Sequence, residues 1–149
     1  MSFAARPLPF VRGSTGGHVI VGSGIDVIEI ARIDRALARG GGRFERRVYT
    51  EGEIAACDGA ARRAIQFAVR FAAKEAAMKA LGTGWAQGVR WVDIETVPRP
   101  DRRGELVGLE LRGRVAEVAA RWGHVRPHLA VGRSRTHAMA TVLLEQVSS

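Results

Sequence analysis

The sequence predicts an α+β fold in a single domain, with a small, mostly antiparallel sheet packed on one long helix. The chain has 149 residues, the usual size of one compact domain. Residues 61–81 form the strongest helical pattern, whereas most other apolar segments are short and strand-like. This combination of one dominant helix and several short strands indicates an α+β protein.

The first predicted elements are a strand and a helix. Residues 19–28 are apolar and rich in β-branched side chains, which predicts a strand. Ile30, Ile33 and Leu37 then recur at helical spacing, and glycines 40–42 break the pattern. A strand that leads directly into a short helix is therefore expected.

Two more helices are expected in the middle of the chain. Thr50 and Glu53 have the spacing of a capping box, which predicts the start of a short helix that ends before Gly59. Residues 61–81 form the dominant helix, and Gly82 stands where a C-capping glycine is expected.

The C-terminal part is predicted to supply the rest of the sheet. Four segments have strand-like patterns, at residues 92–96, 106–111, 128–131 and 138–144. A turn is expected at residues 98–104 and a short helix at residues 115–122. The last two strands are expected to be the arms of a closing hairpin.

The charge of the chain restricts its partners. There are 23 Lys and Arg against 15 Asp and Glu, so the net charge is +8 and the sequence pI is near 11.2. The expected partner is anionic: a nucleic acid, an acidic protein or a phosphorylated cofactor. An arginine-rich proteome is an alternative explanation of the same charge.

The remaining composition indicates a cytoplasmic protein. Cys57 is the single cysteine, so an internal disulfide is excluded and a reducing compartment is expected. No apolar stretch is long enough to span a membrane. Residues 1–17 lack the apolar core of a signal peptide and are interpreted as a flexible N-terminal extension, with residues 18–147 as the functional domain.

Glu75 and Lys79 lie four residues apart on the dominant helix. At about 100° per residue they fall opposite a stripe that is predicted to face solvent. The members of that stripe are Arg63, Gln66, Arg70, Lys74 and Ala77. A surface ion pair is the usual role of Glu and Lys at this spacing, but on an apolar face a charge must be paired or bound to a metal.

Asp26 interrupts the apolar run of the first strand, although aspartate is depleted in strands. A cap for the following helix is the alternative role. If the fold brings Asp26 and Glu75 together, their carboxylates form a hard-oxygen site for a divalent cation, with Lys79 beside it. Such a site predicts phosphate chemistry.

Two glycine-containing motifs are weaker signals. Gly22 and Gly24 resemble the start of a dinucleotide-binding fingerprint, but the third glycine is missing and this interpretation is rejected. Gly82, together with the Thr83 and Gly84 that follow it, could allow a phosphate to approach the backbone closely at the end of a basic helix.

Asp26 within GIDVIEIARI, with Glu75 and Lys79 within RFAAKEAAMKALGTG, resembles the holo-acyl-carrier-protein synthase family of small 4′-phosphopantetheinyl transferases. The segments RFERRVYTEGE and WVDIE are similar to that family as well. The resemblance extends from about Val19 to Glu145 and implies the phosphopantetheinyl transferase-like fold.

The resemblance implies a reaction. The family transfers the phosphopantetheine arm of coenzyme A to a serine of an apo acyl carrier protein and releases adenosine 3′,5′-bisphosphate. By motif, Asp26 and Glu75 would hold Mg²⁺ and Lys79 would contact the phosphates. Arg70 and Phe71 would line the cofactor site. The serine proton would go to Glu75 directly or to a metal-bound water that Glu75 orients. The resemblance also implies a homotrimer with active sites at subunit junctions.

Arginines carry the remaining expectations. The resemblance suggests that Arg32, Arg39 and Arg43 meet the acidic recognition helix of the carrier protein, with ordinary solvated arginines as the alternative. Near the C-terminus the family usually has a Ser-His-Thr-like triplet, where this chain has Gly132-Arg133-Ser134. Arg133 could still bind a phosphate, but it cannot titrate as a histidine does.

Three functions stay open at this point. The favoured one is the transferase, acting on the carrier of fatty acid synthesis or on a polyketide or peptide-synthase carrier, with no nucleic-acid or membrane partner. A small basic nucleic-acid-binding protein would explain the charge, but it leaves Asp26 and Glu75 unexplained. A transferase fold that has lost catalysis and serves as an interaction module is the third.

Overall fold

The computed structural model describes residues 18–84, 86–98 and 106–147. Its N-terminal half contains, in order, β1 (Val19–Glu29), α1 (Ile30–Gly40), α2 (Arg43–Val48), α3 (Glu51–Asp58) and α4 (Arg63–Leu81). Two 3₁₀ turns follow, Ala86–Gly88 and Trp91–Asp93. The C-terminal half contains β2 (Ile94–Pro98), β3 (Leu106–Leu111), α5 (Gly113–Ala119), a 3₁₀ turn (Ala120–Trp122), β4 (Val125–Arg133) and β5 (His137–Gln146).

The strands form two antiparallel sheets, which confirms the predicted α+β class. β1, β5 and β4 lie side by side in that order, with Ala140 of β5 opposite both Asp26 of β1 and Val131 of β4. β2 and β3 pair separately as a two-stranded sheet. The predicted closing hairpin is therefore present as β4 and β5, but β1 joins its far side and makes β5 the central strand.

α4 supports the three-stranded sheet through very small side chains. Six alanines of α4 are buried: Ala68, Ala72, Ala73, Ala76, Ala77 and Ala80. A Cβ atom at Gly24 would lie 2.0 Å from the Ala76 carbonyl oxygen, and one at Gly22 would lie 2.3 Å from the Ala80 carbonyl oxygen. Only glycine permits this approach, so the two glycines that resembled a nucleotide motif serve to dock β1 directly on α4.

Several sequence-based boundaries need correction. The sequence did not predict α2, a six-residue helix between the glycine break and the capping box. The dominant helix begins at Arg63 and not at residue 61. The strand expected at residues 92–96 begins at Ile94, because Trp91–Asp93 forms a 3₁₀ turn that the Asp93 carboxylate closes by accepting from the Arg90 backbone N–H.

Other boundary predictions are confirmed. Thr50 and Glu53 form the capping box of α3, with both reciprocal hydrogen bonds present. Gly82 caps α4 in the left-handed conformation, with φ of 69°. The expected turn at residues 98–104 and the N-terminal extension at residues 1–17 lie outside the described residues, apart from Pro98. Among the described helices, none is long and apolar enough to cross a membrane.

Candidate active site

Asp26 and Lys79 form a direct ion pair between β1 and α4. The Lys79 Nζ atom lies 2.7 Å from Asp26 Oδ1 and also donates to the Ile25 carbonyl oxygen at 3.0 Å. Asp26 is on the face of β1 that packs on α4, the same face as Gly22 and Gly24. The alternative role of Asp26 as a helix cap is wrong, because Asp26 lies inside the strand and Glu29 is the N-cap residue of α1.

Glu75 joins this pair from one turn earlier on α4. Its side chain is half-buried, and its pKa is raised above the usual value, first by burial and then by repulsion from the Asp26 carboxylate. The positive charges of Lys79 and Arg32 partly oppose this rise. The structure thus brings together Asp26, Glu75, Lys79 and Arg32, which we call the acidic-pair cluster.

The donor set of the acidic-pair cluster fits a hard divalent cation. In the part of the chain that the structure describes, no three His, Cys, Asp or Glu side chains converge as a complete metal cage. Mg²⁺ usually binds through one or two carboxylates, with water and substrate phosphate oxygens completing the shell. The repulsion between Glu75 and Asp26 is also what a bound cation would relieve.

Arg70 and Lys74 do not face solvent, so the predicted solvated stripe of α4 is wrong. Arg70 is 3% exposed and Lys74 is 0% exposed, because other elements, among them α3 and β2, pack against α4. Arg70 Nη1 donates to the carbonyl and the side-chain oxygen of Gln66. Its Nε atom has no hydrogen-bond partner among the described residues. The proposed contact of Arg70 with a cofactor stays a prediction.

The buried Lys74 is a structural hub that the sequence did not reveal. Its Nζ atom lies 2.7 Å from Glu53 Oε2 and donates to the carbonyl oxygens of Trp91 and Ile94 at 3.2 and 2.6 Å. Burial lowers the pKa of Lys74, and the charge of Glu53 opposes that shift. A sequence signal did exist: Lys74 and Lys79 are the only lysines in a chain that uses arginine at all its other Lys or Arg positions.

Three other predicted site residues are Phe71 in the middle of α4, Gly82 at its C-terminal end and Arg133 at the end of β4. Phe71 is half-buried and packs against Trp91, with ring centroids 4.8 Å apart. Gly82 ends α4, where the adjacent Thr83 hydroxyl is buried and has no hydrogen-bond partner among the described residues. Arg133 is exposed at the end of β4, opposite Ala138.

The three arginines predicted to bind a carrier protein lie on one segment of the surface. Arg32 and Arg39 are exposed on α1, and Arg43 is exposed at the start of α2. Arg32 also belongs to the acidic-pair cluster, since its charge acts on Glu75. Arg32 is therefore shared by the predicted carrier surface and the cluster.

The chain is similar in sequence and in fold to proteins named holo-[acyl-carrier-protein] synthase. A holo-[acyl-carrier-protein] synthase of Koribacter versatilis is 45% identical over 127 residues, which cover 85% of this chain and 99% of that protein. A holo-[acyl-carrier-protein] synthase of Vibrio cholerae is 44% identical over 128 residues, covering 86% of this chain and 99% of the relative.

Solved structures of proteins with the same name have a similar fold. The Bacillus anthracis holo-(acyl-carrier-protein) synthase in complex with CoA (3′,5′-ADP) superposes with a TM-score of 0.68 at 34% identity, covering 85% of this chain and 97% of that one. The Helicobacter pylori synthase in complex with coenzyme A gives a TM-score of 0.68 at 25% identity, covering 82% and 98% of the two chains. Residues 22–142 match the family model described as the 4′-phosphopantetheinyl transferase superfamily, and the chain belongs to that family.

Proposed function

We propose that this protein is a holo-acyl-carrier-protein synthase. It transfers 4′-phosphopantetheine from coenzyme A to a serine hydroxyl of an apo acyl carrier protein and releases adenosine 3′,5′-bisphosphate. The observation that carries the proposal is the acidic-pair cluster, in which the half-buried Glu75 and the strand residue Asp26 meet beside Lys79. The names of the relatives support the same activity.

The reaction is a substitution at phosphorus. The serine oxygen attacks the β-phosphorus of the coenzyme A diphosphate, a new P–O bond forms, and the bond to the adenosine bisphosphate breaks. Asp26 and Glu75 would hold Mg²⁺, which neutralises charge on the diphosphate. Glu75 takes the serine proton directly or through a water that it orients.

The remaining residues of the site act on the phosphates and on the rest of coenzyme A. Lys79 is half-exposed beside Asp26 and supplies a mobile positive charge. Arg133 supplies a permanent cation that can bind a phosphate, and the backbone at Gly82 is open to close approach. Phe71, next to Arg70 on α4, provides an apolar wall.

The carrier protein is proposed to dock on Arg32, Arg39 and Arg43. All three are exposed, and the surface leads directly to the acidic-pair cluster through Arg32. A group of exposed positive charges steers an acidic partner and raises its association rate. The same steering would align the carrier serine with the site.

A homotrimer is proposed from the sheet face that α4 does not cover. Five large apolar side chains on that face are solvent-exposed in the single chain: Ile20, Ile25, Val27, Met139 and Leu143. Val27 and Met139 lie directly opposite each other on β1 and β5. A contiguous apolar patch of this kind marks a protein interface, and copies of this chain are its proposed occupants. The proposed compartment is the cytoplasm, where coenzyme A and carrier proteins are used.

Intact-mass analysis of a carrier protein tests the function. A generic apo acyl carrier protein is incubated with coenzyme A and this protein, with and without Mg²⁺. The expected result is a gain of one phosphopantetheine group that depends on the metal and is lost in Asp26→Ala and Glu75→Ala. If coenzyme A binds but no carrier gains mass, the catalytically inactive interaction module is the better description.

A further inference from the structure

Lys79 occupies a position where its charge competes with any cation that binds Asp26. Its ammonium lies 2.7 Å from Asp26 Oδ1, within direct ion-pair distance. A divalent cation that uses the same carboxylate must approach to a similar distance. Two positive charges on one carboxylate repel each other, so a metal binds Asp26 more tightly when Lys79 leaves it.

The two lysines of the chain differ in how freely their ammonium groups can move. Lys74 is 0% exposed and all three of its N–H donors have acceptors: Glu53 and two carbonyl oxygens. Lys79 has a side chain that is 51% exposed, with Asp26 and the Ile25 carbonyl oxygen as its acceptors. Lys74 is fixed in the interior, whereas Lys79 can exchange its acceptor for one on a ligand.

The chemistry of lysine favours this exchange. An ammonium group is a compact charge on a flexible stem, whereas a guanidinium binds a carboxylate through a rigid fork. Apart from the buried Lys74, this chain has arginine at every other Lys or Arg position, yet it has lysine here. A phosphate oxygen is an acceptor that can replace Asp26 for Lys79 at no loss of charge pairing.

We propose that Lys79 is a tethered counter-cation: in the free protein it neutralises Asp26, and the diphosphate of coenzyme A draws it away so that the divalent cation can bind. The inference rests on the proposed function, because it assumes the metal and diphosphate sites. Its consequence is a thermodynamic coupling, in which coenzyme A tightens metal binding and the metal tightens coenzyme A binding by the same factor. Lys79 carries part of that coupling.

The test measures Mn²⁺ binding by electron paramagnetic resonance, with Mn²⁺ alone and with coenzyme A present. Lys79→Met is expected to bind Mn²⁺ alone at least fivefold more tightly than the wild type. In the same variant, the factor by which coenzyme A tightens Mn²⁺ binding should be at least fivefold smaller than in the wild type. Arg47→Met, which removes an exposed positive charge from α2, is the matched control and should behave as the wild type.

Side-chain NMR gives a second readout that does not depend on activity. Protein labelled with ¹⁵N-lysine has two ammonium groups, and Lys74 is the internal reference. Adding Mg²⁺ and coenzyme A together should shift the Lys79 signal and leave the Lys74 signal unchanged. Unchanged Lys79 signals, or a Lys79→Met variant that binds Mn²⁺ no more tightly than the wild type, would overturn the inference.

Asp26→Asn separates the possible failures. If this variant loses Mn²⁺ binding but Lys79→Met gains none, the metal site stands and only the role of Lys79 is rejected. If Asp26→Asn binds Mn²⁺ as the wild type does, the assumed metal site and the inference are both wrong. If the coupling appears as expected but no carrier gains phosphopantetheine, the inference holds and the proposed reaction is rejected.

Discussion

Gly24 of β1 packs so closely on Ala76 of α4 that a Cβ atom at position 24 would lie 2.0 Å from the Ala76 carbonyl oxygen. This contact brings the helix and the strand to the separation at which Lys79 reaches Asp26. The geometry of the site therefore depends on a backbone contact outside it. A methyl group at Gly24 must push the two elements apart, since the obstacle is backbone and cannot rotate away.

We expect Gly24→Ala to destabilise the fold by about 1–3 kcal/mol, the usual range for overpacking, and to weaken metal-dependent transfer as well. Gly108→Ala is the control, because a Cβ atom at Gly108 meets no atom within 4 Å. Urea unfolding and a transfer assay measure the two effects. Equal stability and activity of both variants would show that β1 and α4 can adjust without loss.

The buried Lys74–Glu53 pair gives a prediction about stability. Glu53 also accepts hydrogen bonds from the Thr96 backbone and hydroxyl at 2.8 and 2.6 Å, so the pair ties α3 and α4 to β2. Lys74→Met leaves an unpaired buried carboxylate, which typically costs about 3–5 kcal/mol. Lys79→Met, at an exposed position, should change stability by no more than about 0.5 kcal/mol. Urea unfolding at one fixed protein concentration compares the two variants. A loss of stability in Lys74→Met that is smaller than the loss in Lys79→Met would contradict the role of Lys74 as a structural hub.

Charge reversal at Arg39 tests carrier docking without touching the acidic-pair cluster. Arg39→Glu should raise the KM for the carrier protein about tenfold at low salt and leave kcat nearly unchanged, because steering acts on association. The effect should shrink as salt screens the charges. Arg114→Glu, an exposed charge on α5, is the control. If both variants behave alike, total charge rather than the α1 surface governs association.

Val27 tests the assembly. Its side chain is 56% exposed in the single chain, and it faces the sheet side opposite α4. Val27→Asp places a charge in the proposed interface, and sedimentation should show a monomer at concentrations where the wild type is a trimer. Ala38→Asp, on the exposed side of α1, should keep the wild-type assembly. A monomeric wild type would reject the trimer directly.

The sequence predicted the central part of the site because the relevant patterns are local. The period of two in β1 and the i,i+4 spacing on α4 assign Asp26 and Glu75 to one face of each element. The family resemblance indicated that the two carboxylates lie together. The family model and the relatives confirm the predicted family, and the structure and its solved neighbours confirm the predicted fold. The roles of the individual residues in binding and catalysis stay predictions.

The sequence could not predict the burial of Arg70 and Lys74, since a helical wheel does not include what covers the helix. α3 and β2 pack against α4. α2 was also not predicted, because its six residues, RFERRV, are mostly charged. The contact between Gly24 and Ala76 is likewise tertiary. The glycines at alternate positions of β1 were the available signal for this contact, because glycine inside a strand often marks a place where another backbone approaches closely.

The last prediction concerns the protonation of Glu75. Asp26 raises its pKa, whereas Lys79 and Arg32 lower it. Removing Lys79 should therefore raise the pKa of Glu75 further, and removing the charge of Asp26 should lower it. The pKa of Glu75 is expected to be highest in Lys79→Met, intermediate in the wild type and lowest in Asp26→Asn.

Carboxyl ¹³C NMR of metal-free protein labelled at glutamate can measure this order, with Glu75→Gln to assign the signal. Because the folded-state pKa of Glu75 is raised, its protonated form favours folding. That contribution is present below the pKa of Glu75 in the unfolded chain and is lost as pH rises through the folded-state value. Proton competition should accordingly weaken metal binding at a higher pH in Lys79→Met than in the wild type. The reverse order of the three pKa values would show that Asp26 and Lys79 do not act on Glu75 as the structure indicates.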